Sequence, residues 1–163
     1  MNNVLSINEI SRSTVCRVDA RDIIDLRHEV LRQGLPKESA TFPGDNDPET
    51  WHFATRYPNP PIYTADVVCC ASFMKGLYLR VPAWQLRGMA TRSDLRGIGF
   101  GKVLLNVAER TLAQETETRM FWCNARISAV SFYEKNGWQQ IGSIFEIATA
   151  GPHVVMWKNY VGR

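Results

Sequence analysis

The chain has 163 residues, 45% of them apolar and 21% charged, which is enough material for one domain with a real core. A net charge of +3, with no run of five or more Lys/Arg, leaves no electrostatic case for nucleic acid, and no apolar run is long enough to span a bilayer. The opening MNNVLSINEI carries no apolar signal core, so a cytoplasmic protein without membrane association is expected.

Taken in chain order, Thr14–Val18 alternates as a short strand. Ala20–Arg32 then spaces Ile23, Ile24, Leu26, Val30 and Leu31 as a helix, with Asp19 as N-cap and Gly34 and Pro36 as stops. Ser39–Glu49 has loop composition, Trp51–Arg56 reads as a strand, and the three prolines of Tyr57–Pro61 predict a turn. Tyr63–Phe73 is a strand rich in Val, Cys and Ala, and Ala83–Thr91 is another, preceded by Pro82. A helix is expected from about Gly101 to Glu115, a strand over Met120–Asn124, and a short helix over Ser128–Lys135 stopped by Asn136-Gly137. Two antiparallel strands, Trp138–Glu146 and His153–Asn159, close the chain through Gly151-Pro152. With no linker or repeat, residues 1–163 read as a single mixed α/β (α+β) domain.

The four cysteines, Cys16, Cys69, Cys70 and Cys123, form no CxxC pair and no metal-ligand spacing. They are read as buried, reduced thiols, and no metal is expected. Arginines outnumber lysines by 14 to 5, which favours planar recognition of carboxylate or phosphate.

The most informative stretch is Arg96-Gly-Ile-Gly-Phe-Gly-Lys102, directly before an apolar helix. Its glycines let the backbone curl and a ligand approach. The helix start supplies N–H groups and a positive dipole end, suited to a phosphate or pyrophosphate. A Walker A loop would need Ser or Thr where Val103 stands. A dinucleotide fingerprint would need glycine where Lys102 stands. Arg/Gln-x-x-Gly-x-Gly/Ala does fit, as Arg96, Gly99 and Gly101.

That pattern resembles the pyrophosphate loop of the GNAT acetyltransferase superfamily. LRHEVLR (26–32), QLRGMAT (85–91), FWCNARISAVSFYEKNGW (121–138) and GPHVVMWK (151–158) extend the resemblance, most narrowly to the branch containing glyphosate N-acetyltransferase. It implies a central, mostly antiparallel sheet splayed in the middle and flanked by helices, with acetyl-CoA as acyl donor. By resemblance, the segment Arg96, Gly97, Ile98, Gly99, Phe100, Gly101 and Lys102 binds the CoA pyrophosphate. The strand carrying Met89 and Thr91 pairs with the pantetheine arm, and the Met89 amide faces the thioester carbonyl. Asn124 is expected to bond the cofactor arm or Tyr133, a structural cap being the other reading.

Acetyl transfer to an amine requires deprotonating the ammonium, stabilising an oxyanion and protonating the thiolate. Tyr133 matches the family's tyrosine near the CoA sulfur and is the candidate acid; the alternative is an aromatic that packs its helix, as Phe132 could. Gln85 stands where many relatives carry a glutamate base, and it cannot take a proton. His153 in Gly-Pro-His matches the histidine base of the glyphosate-acetylating branch, and imidazole ordinarily titrates near neutral pH. His28 and His52 are read as packing or surface residues.

Arg87 alternates onto the face shared by Gln85 and Met89, where an arginine needs an anion. With Arg126 and Arg32 it matches the three arginines that hold acidic groups of substrate in that branch. The resemblance therefore implies a small amine acceptor bearing two acidic groups. Phe42 stands where the branch has tyrosine, and residues 57–63 and GLYLRVPAW depart from it. Two rival readings remain. One is a GNAT enzyme for a basic or peptide amine, drawing on Glu29, Glu38, Asp45, Asp47 and Glu146. The other is a non-catalytic acyl-CoA sensor, against which Tyr133 and His153 argue. GNAT chains of this size are often homodimers, and the sequence shows no interface.

Overall fold

The computed structural model describes residues 13–57 and 66–162. The turn expected over Tyr57–Pro61, past its first residue, and the first three residues of the strand expected over Tyr63–Phe73 lie outside them. The elements are β1 (Thr14–Val18), a 3-10 turn (Ala20–Asp22), α1 (Ile24–Leu31), a 3-10 turn (Lys37–Ala40), β2 (Thr50–Tyr57), β3 (Asp66–Tyr78) and β4 (Val81–Thr91). There follow a 3-10 turn (Ser93–Leu95), α2 (Phe100–Glu115), β5 (Met120–Arg126), a 3-10 turn (Ile127–Ala129), α3 (Val130–Lys135), β6 (Gln139–Ile147) and β7 (Gly151–Asn159).

Among the described residues the strands form one sheet in the order β1-β2-β3-β4-β5-β7-β6. The β1–β2, β5–β7 and β6–β7 pairs are antiparallel, and β4–β5 is parallel. Parallel neighbours need a crossover, which α2 supplies. The β4–β5 register runs from Ala83↔Met120 to Gln85↔Trp122 while both strands continue, β5 pairing with β7 as far as Arg126↔His153. The mixed α/β architecture expected from the sequence is the one observed.

Contacts divide the chain into two compact units, Met1–Ser72 with Gly88–Ala108 and Phe73–Arg87 with Glu109–Arg163. In the first, Ile23, Leu26, Ala54, Cys70 and Ala90 form a buried cluster, with Val18, Val30, Leu31 and Val67 packed against it. The expected helix over 20–32 divides here. Its first turn is 3-10, closed by Asp22 N–H donating to Asp19 O at 3.0 Å and capped by Asp19 N–H donating to Asp22 Oδ2 at 3.0 Å, and α1 proper begins at Ile24.

The second unit is built on aromatics. Phe121 meets Phe73 at 6.0 Å and Trp138 at 6.4 Å between ring centroids, and Tyr133 meets Trp138 at 5.3 Å. Glu109 is buried on α2, where it accepts from Trp138 Nε1 at 2.7 Å and Lys158 Nζ at 2.6 Å. Burial pushes its carboxyl above the ordinary value, and Lys158 opposes the shift. The hairpin between β3 and β4 turns on Leu79 (φ +49°) and Arg80 (φ +68°). Two consecutive left-handed residues are what a tight hairpin demands, although Asn-Gly or Asp-Gly would be its usual signature. That atypical pair explains why β3 and β4 reach further toward the turn than the sequence suggests.

All four cysteines are free, with Cys69, Cys70 and Cys123 buried and Cys16 only partly so. Burial pushes Cys69 up to about 11 and Cys70 and Cys123 to about 12, from an ordinary 9.0. The folded protein thus keeps protons that the unfolded chain releases above pH 9. The stability this represents is complete below pH 9 and is lost as pH rises toward 12, on the order of 1 kcal/mol per thiol by pH 10. The urea midpoint should fall between pH 8 and pH 10. At pH 8 an aromatic disulfide reagent should label Cys16 first, and all four thiols only after denaturation.

Candidate active site

The sequence-predicted residues fall into two groups, one in each unit. In the first unit, Gly97 and Gly99 take φ +78° and +110°, curling the chain into α2. The first intrahelical bond is Val103 N–H to Gly99 O at 3.0 Å. The N–H groups of Phe100, Gly101 and Lys102 therefore precede the ladder at the positive end of a sixteen-residue helix. Arg96 and Lys102 are exposed, and Arg96 Nε donates to Thr91 O at 3.3 Å, tying the loop to the end of β4. Thr91 Oγ1 contacts Cys69 Sγ at 3.1 Å, and Met89 is half-buried two residues earlier. This donor set fits a pyrophosphate.

Arg32 also lies in the first unit, capping α1. Its guanidinium donates to Ser39 O and Leu31 O, each at 3.2 Å, and sits 5.1 Å over the Phe42 ring. The same ring has Arg27 over it at 4.4 Å, and Arg27 belongs to a network the sequence did not suggest. Arg27 is completely buried, donating to Asp45 Oδ2 at 2.6 Å, Asp45 Oδ1 at 3.3 Å, Ala40 O at 3.2 Å and Ser72 Oγ. His52 contacts Ser72 Oγ through Nδ1 and donates from Nε2 to Asp45 O at 2.8 Å. Asp45, offered above as an acceptor-binding carboxylate, is instead the counter-ion of Arg27. One signal was available: Arg27 lies four residues from both Ile23 and Leu31, on the apolar face of its helix.

In the second unit, register brings three predicted residues onto one face. Gln85 is level with Trp122, Arg87 follows Gln85 by two, and Arg126 follows Trp122 by four and lies opposite His153. Side chains at even offsets along paired strands share a face, so Arg87, Arg126 and His153 point to the same side, as does the exposed Asn124. Arg126 is the last residue of β5 rather than a residue beyond it. Arg87 is half-buried and reaches Met74 Sδ at 3.6 Å.

His153 is 5% exposed, and its Nδ1 lies 2.7 Å from Gly151 O. A carbonyl oxygen only accepts, so Nδ1 carries the proton and, in the neutral ring, Nε2 keeps its lone pair. Tyr133 belongs to the opposite face. Its side chain hydrogen-bonds the Cys123 thiol, and its ring lies between Phe132 at 5.2 Å and Trp138 at 5.3 Å. Among the described residues no three His, Cys, Asp or Glu gather as a metal site, and no helix is long and apolar enough to cross a membrane.

Residues 77–156 match the family described as "Acetyltransferase (GNAT) domain". Over 144 residues the chain is 31% identical to the Bacillus subtilis (strain 168) protein named Uncharacterized N-acetyltransferase YitI, covering 86% of this chain and 92% of that one. Escherichia coli ElaA superposes with a TM-score of 0.71 at 16% identity, over 90% of this chain and 99% of the other. An aminoglycoside 6'-N-acetyltransferase complexed with coenzyme A gives 0.69 at 16% identity, over 92% and 98%. Likeness at that identity establishes a common fold, and the Bacillus relative establishes kinship. The chain belongs to the GNAT family of acetyl-CoA-dependent N-acetyltransferases.

Proposed function

We propose that this enzyme acetylates the amine of a small acceptor bearing carboxylate or phosphonate groups, with His153 as general base and, by resemblance to the family's tyrosine near the CoA sulfur, Tyr133 on the other face of the sheet as general acid. Acetyl-CoA supplies the activated acetyl group and a thiolate leaving group. The observation that carries the reading is the His153 hydrogen bond to Gly151 O, with Arg126 opposite it and Arg87 on the same face. The tautomer leaves Nε2 able to take a proton from an ammonium, and the arginines supply positive charge where an acidic acceptor would be held. Arg32 is assigned to the same acceptor by its resemblance to the glyphosate-acetylating branch.

The loop Arg96, Gly97, Ile98, Gly99, Phe100, Gly101, Lys102 is assigned to the CoA pyrophosphate, the strand at Met89 and Thr91 to the pantetheine arm, and Asn124 to the cofactor arm. Residues 1–163 act as a single acetyltransferase domain in this reading. Of the acidic residues a basic acceptor would require, Asp45 is taken by Arg27, while Glu29, Glu38, Asp47 and Glu146 are exposed.

The test is CoA-thiol release against amino dicarboxylates, aminophosphonates, neutral amino acids, polyamines and lysine peptides. Turnover should concentrate on the doubly acidic amines. Arg87→Ala and Arg126→Ala should each lower kcat/KM for them by about 10- to 100-fold, the loss of one charge-assisted contact. Preference for polyamines or peptides, with both variants at wild-type rates, would overturn the acidic acceptor. Tyr133→Phe keeps the ring packed on Trp138 and should lower kcat by about 100-fold or more; an unchanged rate would remove its role as acid.

A further inference from the structure

We infer that the buried Arg27 network positions the backbone donor for the reacting carbonyl, by holding Gly88 and so aiming the Met89 amide. The inference rests on the reading of Met89 N–H as the thioester carbonyl's donor. Gly88 interrupts β4 with φ +58°, a left-handed conformation that favours glycine. A Cβ there would lie 2.6 Å from Arg27 Nε and 2.8 Å from Phe42 Cε2. Arg27 and Phe42 thus fill the space that any side chain at position 88 would need.

The guanidinium is anchored at its far edge, where Nη1 and Nη2 meet Asp45, Ala40 O and Ser72 Oγ. Its remaining polar atom, Nε, is buried without a hydrogen-bond partner and abuts the Gly88 Cβ position. From β3, Cys70 Sγ reaches Gly88 O at 3.7 Å.

Gly88 C=O and Met89 N–H belong to one planar trans peptide, so the two bonds point in opposite directions. Holding the carbonyl toward Cys70 therefore directs the Met89 N–H away from β3. A donor to an oxyanion contributes most when its direction is set before the reaction, and removing one costs on the order of 100- to 1,000-fold in kcat. Arg27 contacts no substrate in this account; it is a positioning residue.

The experiment compares two inert CoA derivatives, a ketone retaining the acyl carbonyl and an S-ethyl thioether lacking it. Their Kd values are measured for wild type, Arg27→Lys and Cys70→Ala, alongside kcat, acceptor KM and Tm. Lysine keeps the charge near Asp45 but lacks the planar fork and Nε. Wild type should bind the ketone more tightly than the thioether. Both variants should bring that ratio toward one and lower kcat, by about 10- to 100-fold for Arg27→Lys, with acceptor KM and thioether affinity unchanged. If the variants keep the wild-type ratio and kcat while Tm falls, Arg27 only stabilises the fold and the inference is overturned. If wild type itself binds the two equally, the role of the Met89 amide fails first, and the inference with it. Cys70→Ala carries the test if Arg27→Lys does not fold.

Discussion

Replacing His153 by Ala should lower kcat by about 100- to 10,000-fold and flatten the ascending limb of the pH–rate profile. This is the range that general-base catalysis contributes. The expectation follows from the ring's hydrogen bonding. Nδ1 is committed to Gly151 O at 2.7 Å, so the neutral side chain has one basic nitrogen, Nε2. Gln85 offers no alternative, because an amide does not accept a proton at neutral pH. Since His153 is buried, alanine also leaves a cavity, and a rate loss alone would be ambiguous.

His153→Asn resolves the ambiguity. Its side-chain amide can still donate to Gly151 O while providing no base. Loss of the ascending limb in both variants supports proton transfer through His153. A normal rate and limb in His153→Asn would mean that the residue serves only to hold the start of β7.

The largest stability effect is expected at the buried ion pair. Asp45→Ala should destabilise the protein by about 3–5 kcal/mol, the usual consequence of stranding one member of a buried pair. Both side chains are almost wholly inaccessible, at 0% for Arg27 and 4% for Asp45. The carboxylate also accepts from Phe42 N at 2.8 Å, so its removal frees the loop that carries Phe42. For a chain of this size such a loss corresponds to a Tm decrease of about 6–20 °C.

A double replacement, Arg27→Met with Asp45→Leu, should recover most of that stability, since an apolar pair of similar volume removes the stranded charge. It should not recover activity if Arg27 aims the Met89 amide. A thermal melt of Asp45→Ala within about 1 °C of wild type would contradict the argument. The two readouts together separate what the pair does for the fold from what it does for the reaction.

Local chemistry was legible in the chain itself. Alternating and helical apolar spacing marked the strands and helices, because each element must bury one face and its period follows from its own geometry. The glycine loop was equally legible: the left-handed residues at Gly97 and Gly99 and the helix start that follows are neighbours in sequence. The β3–β4 hairpin was not, since Leu79 and Arg80 carry no turn signature and yet both take left-handed φ.

The site's arrangement belongs to tertiary structure. That β7 lies between β5 and β6, placing His153 opposite Arg126, depends on strand order and register. Those are fixed by pairing between distant segments, which periodicity does not encode. Arg27 and Asp45 are eighteen residues apart, and nothing local marks them as partners. The sequence by itself determined the elements, the family resemblance and the types of residue available for chemistry. The tertiary structure decided which charges are neutralised inside and which share a face with the histidine. Burial makes an unpaired charge intolerable, so only the folded chain reveals which acid each arginine has already met.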